Sequence, residues 1–166
     1  MKNLYSPWRI DYILQEKSDK CILCEKPKAN DDESHLILKR GEYSYIIMNL
    51  YPYNNAHLMI VPFRHLAKLS ELKEDELLEM ARMVQLCEKV LTNVYHPEGF
   101  NIGMNLGEVA GAGVADHLHI HIVPRWAGDT NFISTIGKTR VIPEKMEEGY
   151  KKLKNELNKL NNAEEK

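Results

Sequence analysis

Short runs of apolar and β-branched residues, separated by turn residues, follow one another along most of the chain. Each run is typical of a β-strand in length and in the Gly, Pro or Asn residues that bound it. The predicted strands are HLILKRG (35–41), YSYIIMN (43–49), HLMIVP (57–62), GFNIGMN (99–105) and DHLHIHIVPRW (116–126). The tight connection LYPYNNA between the second and third runs favours antiparallel pairing, so the pattern predicts an antiparallel sheet of about five strands.

A different periodicity, of three or four residues, predicts two helices. The long central helix has Ser70 as its predicted N-cap, and a charged amphipathic helix is predicted over EKMEEGYKKLKNELNKL (144–160), with Gly149 weakening its start. Helices packed on an antiparallel sheet define an α+β domain. The stripe of the central helix that is predicted to face the core consists of Leu77, Ala81, Val84, Cys87, Leu91 and Val94.

The remaining segments predict one domain that spans residues 1–166. Residues 1–20 form an N-terminal extension of mixed character, GDTNFISTIGKTRVIP (128–143) is a long loop with one short strand, and residues 162–166 are expected to fray. Since repeats, low-complexity tracts and linker-like stretches are absent from the sequence, we expect no second domain.

Composition narrows the class of protein. With 166 residues, 43% of them hydrophobic, the chain is long enough for a buried core. A formal charge of −2 argues against general adhesion to nucleic acid or to anionic membranes, although a small anionic ligand needs only local donors. The first residues resemble neither a signal peptide nor a membrane anchor, and three cysteines suit a reducing compartment. We therefore expect a cytoplasmic protein.

Three histidines at alternate positions carry the candidate chemistry. Side chains alternate along a strand, so His117, His119 and His121 share one face, while the apolar residues between them face the core. The histidine face is expected to meet water, a ligand or a metal. Three interpretations follow: a solvated histidine-rich face, a metal site, or a catalytic site.

Geometry and chemistry favour the catalytic interpretation. The outer two histidines lie about 13 Å apart along an extended strand, which is too far for one ion to take all three. A neutral imidazole is a good nucleophile toward phosphorus, and a neighbouring ring stabilises charge or protonates a leaving oxygen. The glycines of the preceding loop, Gly107, Gly111 and Gly113, allow close approach of a phosphate to the backbone, although glycines before a strand also serve turns.

The cysteines offer a second candidate site. Cys21 and Cys24 have C-x-x-C spacing, which leaves open a redox pair, half of a zinc site, or no special role. No βαβ pattern of the thioredoxin type surrounds them, so the redox interpretation ranks low. Cys87 belongs to the apolar stripe of the long helix and is expected to be a core residue.

At this point the sequence resembles the histidine triad family, whose signature is His-φ-His-φ-His-φ-φ with φ apolar. HLHIHIV (117–123) matches every position, and the resemblance extends through NLYPYNNAHLMIVPFRH, GMNLGEVAGAG and PRWAGDTNF to cover roughly residues 21–143. The stretch GAGVADHLHIHIVPRWAGDTNFISTIGKTRVIP looks most like the branch of diadenosine tetraphosphate phosphorylases, or ATP adenylyltransferases, and SPWRIDYI near the N-terminus is a lesser match to the same branch. The resemblance implies a histidine-triad fold and an enzyme.

The resemblance also implies roles for individual residues. His119 would be the nucleophile that forms a nucleotidyl-histidine, His121 would contact the phosphate, and His117 would fix geometry or bind metal. A further family histidine falls at His57 and supports the site, although a buried structural histidine is the alternative. The implied substrate-binding residues are Asn49, where the family places a ribose-binding Asp or Asn, Asn105 for the phosphate, and Gly111 and Gly113 in the loop, where the chain departs from the family's usual glutamine. For Asn49 the alternative is a residue that ends a strand and begins a turn.

The same resemblance implies a metal, substrates and an assembly. Several relatives bind structural zinc through positions that correspond here to Cys21, Cys24, His65 and His117, whereas a role for magnesium stays open. The implied substrates are dinucleoside polyphosphates, with inorganic phosphate as acceptor in a phosphorylase and water in a hydrolase. Nucleoside phosphoramidates are an alternative substrate, and a zinc- or nucleotide-binding module without turnover is an alternative of another class. Family members commonly form homodimers, and we expect the same here.

Overall fold

One antiparallel sheet of five strands lies at the centre of the chain, in a computed structural model that describes residues 20–129 and 141–164. The strands are ordered β1-β2-β3-β5-β4, so consecutive strands pair as hairpins except where β5 inserts between β3 and β4. Their bounds are β1 Ile37–Arg40, β2 Ser44–Met48, β3 Leu58–Pro62, β4 Gly99–Gly103 and β5 Ile120–Arg125. The predicted α+β class and the five-stranded antiparallel sheet are confirmed.

Helices surround the sheet. The four-residue α1 is Ile22–Glu25, the long α2 is Glu74–Tyr95, and α3 is Met146–Glu164. Short 3₁₀ helices lie at Lys26–Ala29, Leu69–Glu71 and Glu108–Ala110. Among the described residues, no helix combines the length and the apolar character that a crossing of the membrane requires.

The two faces of the sheet have separate apolar clusters, because side chains alternate along each strand. On one face Ile120 and Ile122 of β5 join the main core, which the long helices α2 and α3 cover. Their neighbour His121 pairs with Met59, and Met59 belongs to a smaller cluster on the opposite face together with Leu23 of α1. The alternation that the sequence predicts for the histidine segment is therefore confirmed for β5.

The buried face of α2 differs from the predicted one. Leu77 is 48% exposed, and Ala81 is exposed too, although both belong to the predicted stripe. The helix begins at Glu74 after Lys73, while Ser70 lies in the preceding 3₁₀ helix. The face is set by tertiary contacts, because Arg64 holds the Glu76 carboxylate inward with an Nη2–Oε2 distance of 2.7 Å. The residues that are buried are Glu76, Met80, Met83, Cys87, Val90 and Leu91.

The histidine strand is shorter than predicted, since β5 begins only at Ile120. Pairing with β3 runs from Leu58↔Ile122 to Ile60↔Ile120. Pro62, which ends β3, has no N–H with which to extend the ladder, and the Leu118 N–H donates to the Leu66 carbonyl at 2.7 Å instead. His117 and His119 therefore lie on the segment that leads into the strand.

Three predicted segments fall wholly or partly outside the described residues. The N-terminal extension is described only at residue 20, and the loop 128–143 lacks residues 130–140, which include its predicted short strand. At the other end of the chain, α3 continues through Glu164, so residues 162–164, which were expected to fray, are helical.

Gly41, between β1 and β2, is a position where the fold excludes a side chain. A Cβ there would lie 2.5 Å from Oε1 of Glu79 and 2.5 Å from Cε of Met83. The Glu79 carboxylate cannot easily move away, because it accepts hydrogen bonds from the N–H groups of Glu42 and Tyr43 and from the Ser44 hydroxyl.

Gly41→Ala is therefore expected to lower the free energy of unfolding by about 1–3 kcal/mol, measured by urea denaturation. Gly99→Ala is the matched control, since a Cβ at Gly99 would meet no atom of the described residues within 4 Å. Equal stability of the two variants would contradict the packing seen around Glu79.

Candidate functional site

The three alternating histidines are buried, which corrects the expectation of an open histidine face. Relative exposure is 1% for His117, 5% for His119 and 8% for His121, and His57 is fully buried beside them. The surrounding loops and the short helix α1 cover this side of the sheet, which sequence periodicity does not reveal. Buried polar rings need hydrogen-bond partners, so their contacts define what each ring can do.

His119 has one nitrogen held by the backbone and one that faces no described partner. Its Nδ1 lies 2.7 Å from the His117 carbonyl oxygen, and a carbonyl only accepts, so Nδ1 carries the ring proton. The other nitrogen, Nε2, then has a lone pair and makes no hydrogen bond to any described residue. This tautomer is the one that a nucleophilic imidazole needs.

His57 and His121 form a directly bonded pair of imidazoles. His57 Nε2 lies 3.0 Å from His121 Nδ1. The Tyr53 N–H donates to His57 Nδ1 at 3.0 Å, so that nitrogen keeps its lone pair and the proton of the ring is on Nε2. His57 therefore donates to His121, whose own proton must then be on Nε2.

His121 consequently presents an N–H donor that lacks a partner within the described parts of the chain. Its Nε2 is buried and without a hydrogen bond, and its ring lies edge-on to His119 with centroids 4.7 Å apart. Burial and the neighbouring His119 lower the pKa of His121 to about 4, so the ring is neutral at pH 7. A neutral donor beside a free imidazole nitrogen suits an anionic oxygen of a bound ligand.

The low pKa of His121 predicts a dependence of stability on pH. The unfolded ring, with a pKa of about 6.5, takes up a proton before the folded ring does, so the stability that this group contributes is present above pH 6.5 and is lost as the pH falls toward 4. Between pH 7 and pH 5 the expected loss in unfolding free energy from this ring is about 2 kcal/mol.

Urea denaturation at the two pH values, compared with His121→Gln, isolates this contribution. The loss between pH 7 and pH 5 should be smaller by about 2 kcal/mol in His121→Gln. His96→Asn, which changes an exposed histidine at the end of α2, should behave as the wild type does. The same pH dependence in all three proteins would contradict the assignment.

A separate cluster joins the beginning of the described chain to the histidine segment. Cys21, Cys24, His65 and His117 each offer one ligand atom, and all four atoms lie within 4.8 Å of one another. The sulfur of Cys21 lies 3.3 Å from Nδ1 of His117, and the sulfur of Cys24 lies 3.4 Å from the Nδ1 atoms of both His65 and His117. The structure thus brings together the four residues that the resemblance implies.

These distances fit a tetrahedral ion. Metal–sulfur bonds of about 2.3 Å and metal–nitrogen bonds of about 2.0–2.1 Å separate sulfur from nitrogen by roughly 3.6 Å. The Nε2 of His117 lies 2.9 Å from the Pro62 carbonyl oxygen, which fixes the tautomer that leaves Nδ1 free to bind. Burial, and then the adjacent Cys21, raise the pKa of Cys24 to about 11, so a nearby cation is needed before the Cys24 thiol ionises at pH 7.

The predicted loop residues lie on the connection from β4 to β5. Asn105 follows β4 and is partly buried, while Gly111 and Gly113 are exposed. Gly111 has a φ of 91°, a left-handed conformation that favours glycine. A Cβ at Gly111 or Gly113 would meet nothing within 4 Å, and no hydrogen bond within the described chain joins any of the three residues to a histidine. Their role in binding stays a prediction.

Tyr53 is a neighbour of the site that the sequence pattern does not predict. Besides its N–H bond to His57, its ring lies 4.6 Å from the His57 ring and 5.3 Å from the His121 ring, measured between centroids. The segment YPYNNA has the composition of a turn, and nothing in its spacing indicates that one tyrosine folds over two histidines.

Known proteins resemble this chain in sequence and in fold. The family model for the HIT domain matches residues 30–128. An AP-4-A phosphorylase of Mycobacterium tuberculosis is 40% identical over an alignment of 153 positions that covers 87% of this chain and 78% of the relative. An adenosine 5′-monophosphoramidase of Candida albicans is 30% identical over 86% of this chain and 94% of its own length.

A solved structure agrees with the fold. The crystal structure of a Zn-bound histidine triad family protein from Mycobacterium smegmatis superposes with a TM-score of 0.71 at 25% identity, and the match covers 87% of this chain and 97% of the other. The histidine-triad fold is thereby confirmed. With the family model matching more than half of its residues, the chain belongs to the histidine triad family and is one of its enzymes.

Proposed function

We propose that this enzyme transfers a nucleotidyl group from a dinucleoside polyphosphate through a covalent intermediate at His119, and that its main reaction is phosphorolysis of diadenosine tetraphosphate to ATP and ADP. The observation that carries the proposal is that, within residues 20–129 and 141–164, neither Nε2 of His119 nor the Nε2–H of the adjacent His121 has a hydrogen-bond partner. The 40% identity to an AP-4-A phosphorylase supports the choice of substrate and acceptor.

The first displacement uses both rings. The Nε2 lone pair of His119 attacks the α-phosphorus, a phosphorus–nitrogen bond forms, and the bond to the bridging oxygen breaks so that ATP leaves with the electron pair. The His121 N–H donates to a non-bridging oxygen of that phosphorus and stabilises the charge that develops there. His57 keeps the His121 ring oriented by donating to its Nδ1.

The second displacement regenerates the enzyme. In the intermediate the His119 ring retains its Nδ1 proton, which the His117 carbonyl holds, so the ring carries positive charge and is a good leaving group. An oxygen of inorganic phosphate attacks the α-phosphorus, the phosphorus–nitrogen bond breaks, and ADP is released. Attack by water in place of phosphate would release AMP and make the enzyme a hydrolase.

Product analysis with and without phosphate tests the proposal. Incubation with diadenosine tetraphosphate should give equal amounts of ATP and ADP only when inorganic phosphate is present, and AMP in phosphate-free buffer would identify a hydrolase. The 30% identity to an adenosine 5′-monophosphoramidase makes AMP joined to an amine the second substrate to offer. If no substrate is turned over and no AMP adduct appears by intact mass, a binding module without catalysis is the better description.

We further propose that zinc occupies the Cys21, Cys24, His65 and His117 cluster. Two thiolates and two imidazoles are a common structural zinc set, and the sulfur–nitrogen distances in the cluster fit it. Zinc there supplies a link between the N-terminal part of the described chain and the segment before β5. His117 contributes Nδ1 to the cluster and its carbonyl to His119, so the two sites share one residue.

We also propose a cytoplasmic homodimer. The outer strand β4 has no neighbour on its far side among the described strands, and Ile102 on it is 46% exposed. Pairing of two such edges about a twofold axis would cover backbone groups that are otherwise left to solvent. Sedimentation velocity should give the mass of two chains, and a species of about 19 kDa would contradict the dimer.

A further inference from the structure

Asn49, directly after β2, has an amide group whose orientation the backbone fixes. The Tyr51 N–H donates to Asn49 Oδ1 at 3.0 Å, so Oδ1 faces Tyr51. The other end of the amide, Nδ2, then lies 3.2 Å from His57 Nδ1 and donates to it. Asn49 is therefore bonded to the buried ring that holds His121, a contact separate from any role in binding sugar.

Two donors converge on the same nitrogen of His57. The Tyr53 N–H and the Asn49 amide both point at Nδ1, at 3.0 Å and 3.2 Å. A backbone N–H cannot reverse its direction, and the Asn49 amide is locked by Tyr51, so a proton on Nδ1 would face two other protons. His57 is fully buried, so the nitrogen cannot exchange these partners for bulk water.

The proton-free Nδ1 of His57 fixes the direction of each further hydrogen bond between His57 and the reaction site. With Nδ1 accepting, His57 donates from Nε2 to Nδ1 of His121, and His121 presents its proton on Nε2. If Asn49 accepted a proton from His57 Nδ1 instead of donating to it, His57 Nε2 would accept from His121 Nδ1. His121 Nε2 would then present a lone pair where the phosphate oxygen binds. A lone pair facing an anion repels it.

We infer that Asn49 is a positioning residue: its amide, together with the Tyr53 N–H, sets the direction of hydrogen bonding through His57 so that His121 offers a proton to the substrate. The kinetic part of this inference rests on the proposed function, whereas the tautomers of the two rings do not. The positioning role of Asn49 can be distinguished from ribose binding. An aspartate at position 49 can still accept from a ribose hydroxyl but cannot donate to His57.

Asn49→Asp is the main variant. Its carboxylate would face the Nδ1 lone pair of His57 and favour a proton there. In ¹⁵N-labelled free protein, long-range ¹H–¹⁵N spectra distinguish protonated from unprotonated ring nitrogens, and the wild type should show His57 Nδ1 unprotonated and His121 Nε2 protonated. In the variant the carboxylate attracts a proton to His57 Nδ1 while the Tyr53 N–H still opposes it, so a tautomer with Nδ1 protonated should become populated beside the wild-type one. Asn161→Asp is the matched control, since the Asn161 Oδ1 accepts from Lys39 Nζ at 2.6 Å and an aspartate preserves that contact.

Kinetics separate positioning from sugar binding. With diadenosine tetraphosphate, Asn49→Asp should lower kcat by about 10²-fold. The analogue that lacks the 2′ and 3′ hydroxyls should suffer the same fold-loss, because the affected bond lies in the protein. A residue that only binds ribose would produce a loss on the natural substrate that largely vanishes on the analogue.

Asn49→Ala provides a second test that adds no charge. It leaves the Tyr53 N–H as the remaining donor of the two, so we expect the second tautomer of His57 to become detectable and kcat to fall by about tenfold. If Asn49→Asp does not fold, the tautomers and kcat of Asn49→Ala decide alone.

Unchanged ring tautomers in the folded variants would overturn the inference, as would a loss confined to the substrate that has ribose hydroxyls. The spectra are recorded without substrate, so they test the hydrogen-bond direction even if the wild type turns over no dinucleoside polyphosphate. In that case the proposed function fails and the inference about the hydrogen-bond direction is judged on the tautomers alone.

Discussion

Replacing His119 by asparagine is expected to lower kcat for diadenosine tetraphosphate by a factor of at least about 10³ and to abolish the AMP adduct seen by intact mass. Asparagine retains an N–H donor near the position of Nδ1, so the His117 carbonyl keeps a partner. It has no counterpart of Nε2, the atom that would bond to phosphorus. The substitution therefore removes the nucleophilic nitrogen and keeps a hydrogen-bond donor for the His117 carbonyl.

The burial of His119 makes the choice of substitution important. At 5% exposure the ring fills space inside the protein, and alanine would leave both a cavity and an unpaired carbonyl. A loss of activity in His119→Ala could then reflect unfolding. His119→Asn should keep its melting temperature within a few degrees of the wild type, and His96→Asn, at an exposed helix end, should keep both stability and activity. An AMP adduct that persists in His119→Asn would place the nucleophile elsewhere.

Removing one thiol of the cluster should produce the second large effect. Cys24→Ser is expected to lower the zinc content, measured by plasma mass spectrometry, from about one ion per chain to below about a tenth, because structural zinc needs its full ligand set. Loss of an ion present at about 1,000 times its dissociation constant removes roughly 4 kcal/mol of stability. For a chain of this size that corresponds to a fall in melting temperature of about 8–16 °C.

Cys87→Ala provides the control for Cys24→Ser. Cys87 is a buried core cysteine of α2, 1% exposed, and burial raises the pKa of its thiol. Its loss should reduce stability through packing while the zinc content stays at the wild-type level. Equal zinc content in Cys24→Ser and the wild type would exclude the cluster as the binding site.

Cys24→Ser should also lower turnover, although Cys24 takes no part in the reaction. His117 gives Nδ1 to the cluster and its carbonyl oxygen to the His119 Nδ1 proton. If the ion is lost, the backbone at His117 is less firmly held and the nucleophile loses part of its orientation. We expect kcat to fall by about 10–100-fold while KM changes little.

Features that depend on neighbours along the chain could be predicted from the sequence. The strand positions were correct to within a few residues, and Ile120 and Ile122 pack in the core on the face opposite His121, because alternation is a local property of extended backbone. The histidine spacing identified the family. The helix face was predicted less well, since Leu77 is exposed while the inward Glu76 is held by Arg64.

The sequence by itself determined the order of the strands along the chain, the separation of histidines from isoleucines, and the residue types available for zinc and for attack on phosphorus. Only the tertiary structure decided that Cys21 lies beside His117 and that the histidines are buried. It also decided that Tyr53 and Asn49 both donate to His57. The reason is physical. Periodicity is a property of the local backbone, whereas the tautomer of a buried ring depends on donors that folding brings from other strands and loops.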